Sequence, residues 1–382
     1  MAEQRIPFFR PSIEEEDVQA VADTLRSGWL TTGPNAAALE QELADYCRAA
    51  YVNAVNSCTA AMHLALEAWG IGPGDEVITT VYTFASTAHV IDHVGATPVL
   101  VDVLPGTANI DPAKVEAAIT PRTKAIIPVH FAGEPCDMDA IGDIARRHRL
   151  KVLEDAAHAI GTEYRGRRIG THSDAAAFSF YATKNMTTGE GGALATDDEA
   201  LSDRVRMLTL HGMTKDAWRR YDAGGSWRYD IQAFGWKYNL PDTAAALGRR
   251  QLARLEQLIE ERTRVAQRYL ANLREEPLLE LPAFDEANRH AWHLFVVRVK
   301  PEAPVKREDV IRALAERGIG TSVHFIPLHY HTAYRELGRW QEGDFPVAEA
   351  YFAGAISLPM FPDLSDAEVD LVCDELRAAL RG

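Results

Sequence analysis

The chain has 382 residues, 47% apolar and 25% charged, which argues against a disordered chain and against a membrane-spanning one. At roughly 150 residues per domain, this length allows two or three packed units. Forty Lys+Arg against 55 Asp+Glu give a net charge of −15, so the mean field repels nucleic acid and anionic membranes. A local site for a small phosphate stays open, because backbone N–H groups and a few cations hold such a ligand. The four cysteines, Cys47, Cys58, Cys136 and Cys373, form no Cys-x-x-Cys pair, which fits free thiols in a reducing compartment. The N-terminus, MAEQRIPFFRPS, has no apolar segment of signal-peptide length, so a cytoplasmic protein is expected.

The first predicted element is a helix with Ser12 and Glu15 as its capping box and Gly28 as its stop. The irregular segment Gly28 to Pro34 follows it. From about residue 50 to 200, short β-rich apolar runs alternate with helical stretches, the pattern of parallel strands joined by crossover helices. Seven strands are predicted: Ala54 to Asn56, Glu76 to Thr80, Pro98 to Val103, Lys124 to His130, Lys151 to Asp155, Ala176 to Phe180 and Gly192 to Thr196. After about residue 240 the pattern changes to a long charged helix, Pro241 to about Arg274, and a strand from Trp292 to Val299. A helix from Arg307 closing at Gly318 and a strand around Thr321 to Phe325 come next. The last helix starts at Ser365, with Glu368 completing its capping box. The expected division is a large domain, 1–240, and a smaller α+β domain, 241–382.

Ligands of open α/β sheets sit outside the carboxyl ends of the strands. The first strand leads into Asn56-Ser57-Cys58-Thr59-Ala60-Ala61, where a helix start offers either a phosphate site or a plain Ser/Thr cap. The second is followed by Tyr82-Thr83-Phe84-Ala85, whose aromatics are core or a plate against a planar ligand. The fifth ends Glu154-Asp155-Ala156-Ala157-His158, and carboxylates there are costly unless paired or facing a site. The sixth leads into Tyr181-Ala182-Thr183-Lys184-Asn185, followed by Thr187-Thr188-Gly189-Glu190-Gly191-Gly192. A lysine there is either a snorkelling surface group or a partly desolvated one, and desolvation favours the neutral amine that attacks a carbonyl. An amine, a buried carboxylate, an aromatic plate and a phosphate cradle are the parts that hold pyridoxal phosphate. Gly70-Ile71-Gly72-Pro73-Gly74 follows a helix and precedes a strand, the wrong order for a dinucleotide fingerprint. His324, His329 and His331 lack further ligands at zinc spacing.

The ordered motifs SGWLTTGP, NSCTAAMH, GPGDEVITT, GATPVLVDV, EDAAHAIG, FSFYATKN, GEGG and KYNLPD, from about Pro7 to the last helix, resemble the DegT/DnrJ/StrS family of pyridoxal-phosphate-dependent sugar-nucleotide aminotransferases. HAWHLFVVRV and RGIGTSVHF resemble the branch that aminates UDP-4-keto-pentose to give 4-amino-4-deoxy-L-arabinose. The resemblance implies an aspartate-aminotransferase-like fold type I, with a mostly parallel seven-stranded sheet between helices, and a homodimer with active sites at the subunit interface. It implies Lys184 as the Schiff-base lysine, Asp155 at the pyridinium nitrogen and His158 near the cofactor's phenolic oxygen. It places Phe84 on the ring, Thr59, Ala60 and Ser179 on the phosphate, and Asn239 on the phosphate of the partner subunit. Trp29, Thr31, His324 and His329 fall in segments expected to line the sugar pocket.

The implied reaction moves an amino group from L-glutamate, leaving 2-oxoglutarate, to a nucleotide-linked keto sugar. Tyr181 is similar to 3-keto-sugar members, whereas Thr187 to Gly192 is similar to the 4-amino branch, and the longer segment favours C4. A cyclitol ketone acceptor uses the same machinery, and a cofactor-binding regulator is the reading from another class. From Asp203 to Arg228, six basic residues against three acidic ones give a local +3, and Lys215, Arg219 and neighbouring cations are expected to hold the nucleotide diphosphate.

Overall fold

The computed structural model describes residues 6–213 and 229–382. Its centre is a sheet of β1 (Tyr51–Val55), β2 (Glu76–Thr80), β3 (Thr97–Val101), β4 (Thr123–Ile127), β5 (Lys151–Asp155), β6 (Ala175–Ser179) and β7 (Gly192–Thr196). In space the order is β1-β7-β6-β5-β4-β2-β3. β7 runs antiparallel to both of its neighbours, and every other pair is parallel. The strands are rich in Val, Ile and Ala and almost entirely buried, as helices on both faces require. Because β7 is reversed, its first residues reach the edge where β1, β2, β5 and β6 end.

A second, antiparallel sheet joins β8 (Leu279–Glu280), β9 (Phe295–Val299) and β10 (Ala355–Leu358). Helices Arg307–Glu316 and Asp366–Arg381 cover it, burying Val310, Leu314, Val369, Val372, Leu376 and Leu380. The capping box of the last helix forms as expected, with Ser365 and Glu368 exchanging hydrogen bonds. Among the described residues, no helix is long and apolar enough to cross a membrane.

Four local expectations are corrected. The first helix is Glu15–Ser27, capped by Glu14 and Asp17, because the carbonyl of Ser12 instead accepts from Gln251 and Arg254. Its stop at Gly28 holds, with φ at 79°. The long charged helix is two, Asp242–Ala253 and Leu255–Leu273, interrupted at Arg254, whose guanidinium turns back onto Asp17 and Glu14. The strand expected from Trp292 begins at Phe295, since Trp292 has φ of 46°. Residues 321–325 form no strand, only a single bridge from Ser322 to Ser357. Along Leu255–Leu273, Leu255 and Ile259 pack into the core of the large sheet, and Val265, Tyr269 and Leu273 into that of the small one.

Candidate active site

A cavity of about 530 Å³ opens at the carboxyl edge of the large sheet. The alternation of β5 divides its two carboxylates: Glu154 faces the core, bonded to His130 Nε2 at 2.9 Å and Ser173 Oγ at 2.7 Å, while Asp155 faces the cavity. Asp155 Oδ1 accepts the Ala157 N–H at 3.1 Å, and Oδ2 accepts the Thr87 hydroxyl at 2.7 Å.

Lys184 lies in the turn after β6 and also lines the cavity. Burial pushes its ammonium down to about 8, against the opposing pull of Cys58 and Asp155, so a substantial share is neutral near physiological pH. His158, His293 and His324 surround it. Burial, with the Lys184 charge added, holds His158 well below the usual histidine range and brings His324 down to about 4. His293 is also held well below that range, by burial first and then by the neighbouring His158.

The rings form a continuous wall. His158 lies 4.3 Å from His293, centroid to centroid, and stacks on Phe325 at 5.8 Å, while Phe8 stacks on His324 at 5.5 Å. Phe84 is 63% exposed at the cavity rim, free to lie against a planar ring.

At the opposite end, Ser57 caps the helix Cys58–Ala68, and its Oγ accepts the Ala60 N–H at 3.1 Å. The cap reading of this segment therefore holds, and the backbone group expected at Ala60 to meet phosphate is bonded to Ser57. Thr59 and Ser179 line the cavity beside this helix start. A Cβ on Gly192 would come within 2.4 Å of the Ser57 backbone and 2.6 Å of the Phe178 carbonyl, so glycine alone lets β7 start this close to the helix.

The structure thus brings together Lys184, Asp155, His158, Phe84, Thr59, Ser179, Tyr181 and His324. Three expected sugar contacts are not in the cavity of this chain. His329 is buried with Nε2 on Glu349 at 3.0 Å, and Trp29 donates to the Thr32 carbonyl at 3.1 Å. The Thr31 carbonyl receives the Asp242 N–H at 3.3 Å. Asn239 also lies apart, with its Nδ2 donating to Thr32 Oγ1 at 2.7 Å. Lys215 and Arg219 fall outside the described residues. His293, Phe8, Phe9 and Phe325 were not singled out from sequence; only chain packing between distant segments places them here.

These residues fit pyridoxal phosphate: a desolvated amine, a fixed carboxylate in the same cavity, an exposed aromatic plate and hydroxyls at a helix start. A family model described as the DegT/DnrJ/EryC1/StrS aminotransferase family matches residues 11–377. The chain belongs to that family. It is 52% identical over 379 residues to the spore coat polysaccharide biosynthesis protein SpsC of Bacillus subtilis, covering 99% of this chain and 97% of the relative. The pyridoxamine-phosphate form of a putative sugar aminotransferase, Spr1654 from Streptococcus pneumoniae, superposes with a TM-score of 0.93 at 37% identity, covering 98% of this chain and 99% of that one. S. venezuelae DesV superposes with a TM-score of 0.91 at 37% identity, covering 99% of each chain. The fold is that of the pyridoxal-phosphate-dependent aminotransferases, and this member of the DegT/DnrJ/EryC1/StrS family is an enzyme that transaminates a sugar with that cofactor.

Proposed function

We propose that this enzyme transfers the amino group of L-glutamate to C4 of a nucleotide-linked keto sugar, in the manner of the 4-amino-4-deoxy-L-arabinose branch. The observation that carries the chemistry is the pairing of Lys184, lowered to about 8, with Asp155 in one buried cavity. The segment Thr187 to Gly192 supports C4, and a relative named for polysaccharide biosynthesis supports an activated sugar as acceptor.

When bound, pyridoxal phosphate supplies an aldehyde carbon that takes up the amino group and a ring that accepts the electrons released from the donor's Cα. Asp155 holds a proton at the ring nitrogen. Thr59 and Ser179 hold the phosphate, and Phe84 covers the ring. With the cofactor bound, the amine of Lys184 would take the proton from the donor's Cα and pass it to the cofactor's C4′, and in the second half would carry a proton from C4′ to the sugar carbon that gains nitrogen. His158 donates to the phenolic oxygen. The aromatic wall of Phe8, His324 and Phe325 excludes water and receives the sugar.

We further propose a homodimer, supported by the exposed Phe234, Ile231 and Phe84 and by the position of Asn239 outside its own chain's cavity. In that assembly Asn239 reaches the partner's phosphate, and Trp29 and Thr31 belong to the walls of the shared site. Lys215 and Arg219 hold the diphosphate, and the two units meet within the helix Leu255–Leu273 and not at 240, since Leu252, Leu255 and Ile259 pack with the large sheet and Val265 onward with the small one.

The position of Tyr181 on the cavity wall supports a second reading, amination at C3. A panel of UDP- and dTDP-linked 4-keto and 3-keto sugars and an inosose, with glutamate as donor and NMR of the product, separates them. Nitrogen on C4 is expected; nitrogen on C3, or turnover of the cyclitol alone, overturns the proposal.

A further inference from the structure

The hydrogen bonds to Asp155 come from neutral groups. Oδ1 accepts the Ala157 N–H at 3.1 Å and stands 3.8 Å from Cys58 Sγ, and Oδ2 accepts the Thr87 hydroxyl at 2.7 Å. Thr87 has one hydroxyl proton and three oxygen neighbours: Asp155 Oδ2, Thr83 Oγ1 at 2.8 Å and the Phe84 carbonyl at 3.2 Å. The carboxylate is the strongest acceptor and the nearest, so it takes that proton. The 2.8 Å contact with Thr83 then requires Thr83 to be the donor. The direction of the chain follows: Thr83 to Thr87 to Asp155, each link polarising the next. All three side chains are buried, at 2%, 0% and 4% exposure, so water does not compete. The turn that opens the helix Ser86–His93, with the Thr87 N–H on the Phe84 carbonyl at 3.3 Å, sets the spacing of the two threonines.

We propose that Thr87, backed by Thr83, is a positioning residue that fixes the orientation of the Asp155 carboxylate toward the cofactor's ring nitrogen. This rests on the reading that Asp155 faces that nitrogen. Ala157 fixes one oxygen and Thr87 the other, so the plane of the carboxylate cannot rotate without breaking a buried hydrogen bond. A valine at 87 keeps nearly the same volume but removes this constraint and leaves the buried Thr83 hydroxyl without the acceptor it has in Thr87.

The test uses the cofactor-loaded enzyme and reads the pH titration of its visible absorption band, together with the dissociation constant for pyridoxal phosphate. In Thr87→Val the apparent pKa of the band is expected to move upward by about 0.5–1 unit, because a poorly held ring-nitrogen proton withdraws less charge. Cofactor affinity is expected to fall about 5–10-fold, roughly the net worth of one ordinary hydrogen bond. Thr87→Ser, which keeps the hydroxyl, should match wild type, and Thr83→Val should move the band in the same direction by less. In an Asp155→Asn background, Thr87→Val should add nothing. A wild-type titration in Thr87→Val, or equal shifts in the Val and Ser variants, overturns the positioning role. If Asp155→Asn itself leaves the titration unchanged, the reading of Asp155 fails and the proposal with it.

Discussion

The Nδ1 atom of His158 accepts the backbone N–H of Ala132 at 3.3 Å. With Nδ1 occupied as an acceptor, a neutral ring carries its proton on Nε2, and burial holds the ring well below the usual histidine range. His158 is therefore a donor with no charge change near pH 6.5. His158→Gln, which keeps a side-chain N–H, should retain activity to within about tenfold, whereas His158→Leu should lower kcat by about 10–100-fold. Steady-state kinetics across pH 5.5–8 checks both, and neither variant should remove an inflection near 6.5.

Lys184 gives a pH prediction of definite sign. Its ammonium titrates near 8 in the folded protein and near 10.5 when unfolded, so between those values the unfolded chain binds more protons and stability rises with pH. Below about 8 the burial cost is fully present. Lys184→Met should thus stabilise the cofactor-free protein by about 1–3 kcal/mol at pH 7, with the gain shrinking as pH rises from 8 to 10.5. Urea denaturation at several pH values measures this, and the same variant should have no transaminase activity.

Glu134 is 5% exposed, and burial raises its carboxyl to about 7, partly offset by the hydrogen bond from the Asp285 N–H. Its Oε1 accepts the Asp285 N–H at 3.1 Å, while Oε2 is buried without a partner. The folded protein therefore binds a proton there that the unfolded chain loses above about 4.5, and the cost of the charge grows as pH rises from 4.5 to 7. Glu134→Gln is expected to be neutral near pH 4.5 and stabilising by roughly 1–2 kcal/mol above pH 7. Thermal melts at both ends of that range check the crossover.

Two helices that begin with proline are capped from far along the chain. Asp242 accepts the N–H groups of Asn35 and Ala36 at 3.0 and 2.9 Å, and Asp102 accepts those of Val347 and Ala348 at 3.0 and 2.9 Å. In each case the carboxylate meets the first free donors after the proline, where the helix dipole also favours a negative charge. Asp242→Ala and Asp102→Ala should each cost about 1–2 kcal/mol in urea denaturation, with Asn recovering part of it.

These caps show where sequence reading stops. The buried strands Glu76–Thr80, Lys151–Asp155 and Gly192–Thr196 were legible to the residue, because a short β-branched or small apolar run between turns has few other uses. Asp155 and Phe84, at and just past two of these strand ends, and Lys184, just past the strand Ala175–Ser179, could be picked out for the same reason, and all three line the cavity. What depends on long-range partners was not. The Ser12 and Glu15 motif yields to Gln251 and Arg254, and Arg254 breaks the helix it was expected to continue. His329 looked like a pocket residue but is taken by Glu349, while His293, Phe8 and Phe325 reach the cavity only through tertiary packing.

The most direct measurement is the visible spectrum of the cofactor-loaded enzyme through one cycle. L-Glutamate should bleach the band, a UDP- or dTDP-linked 4-keto sugar should restore it, and Lys184→Ala should show neither change. A band that glutamate leaves intact, or one restored only by a 3-keto sugar or a cyclitol ketone, would contradict the account.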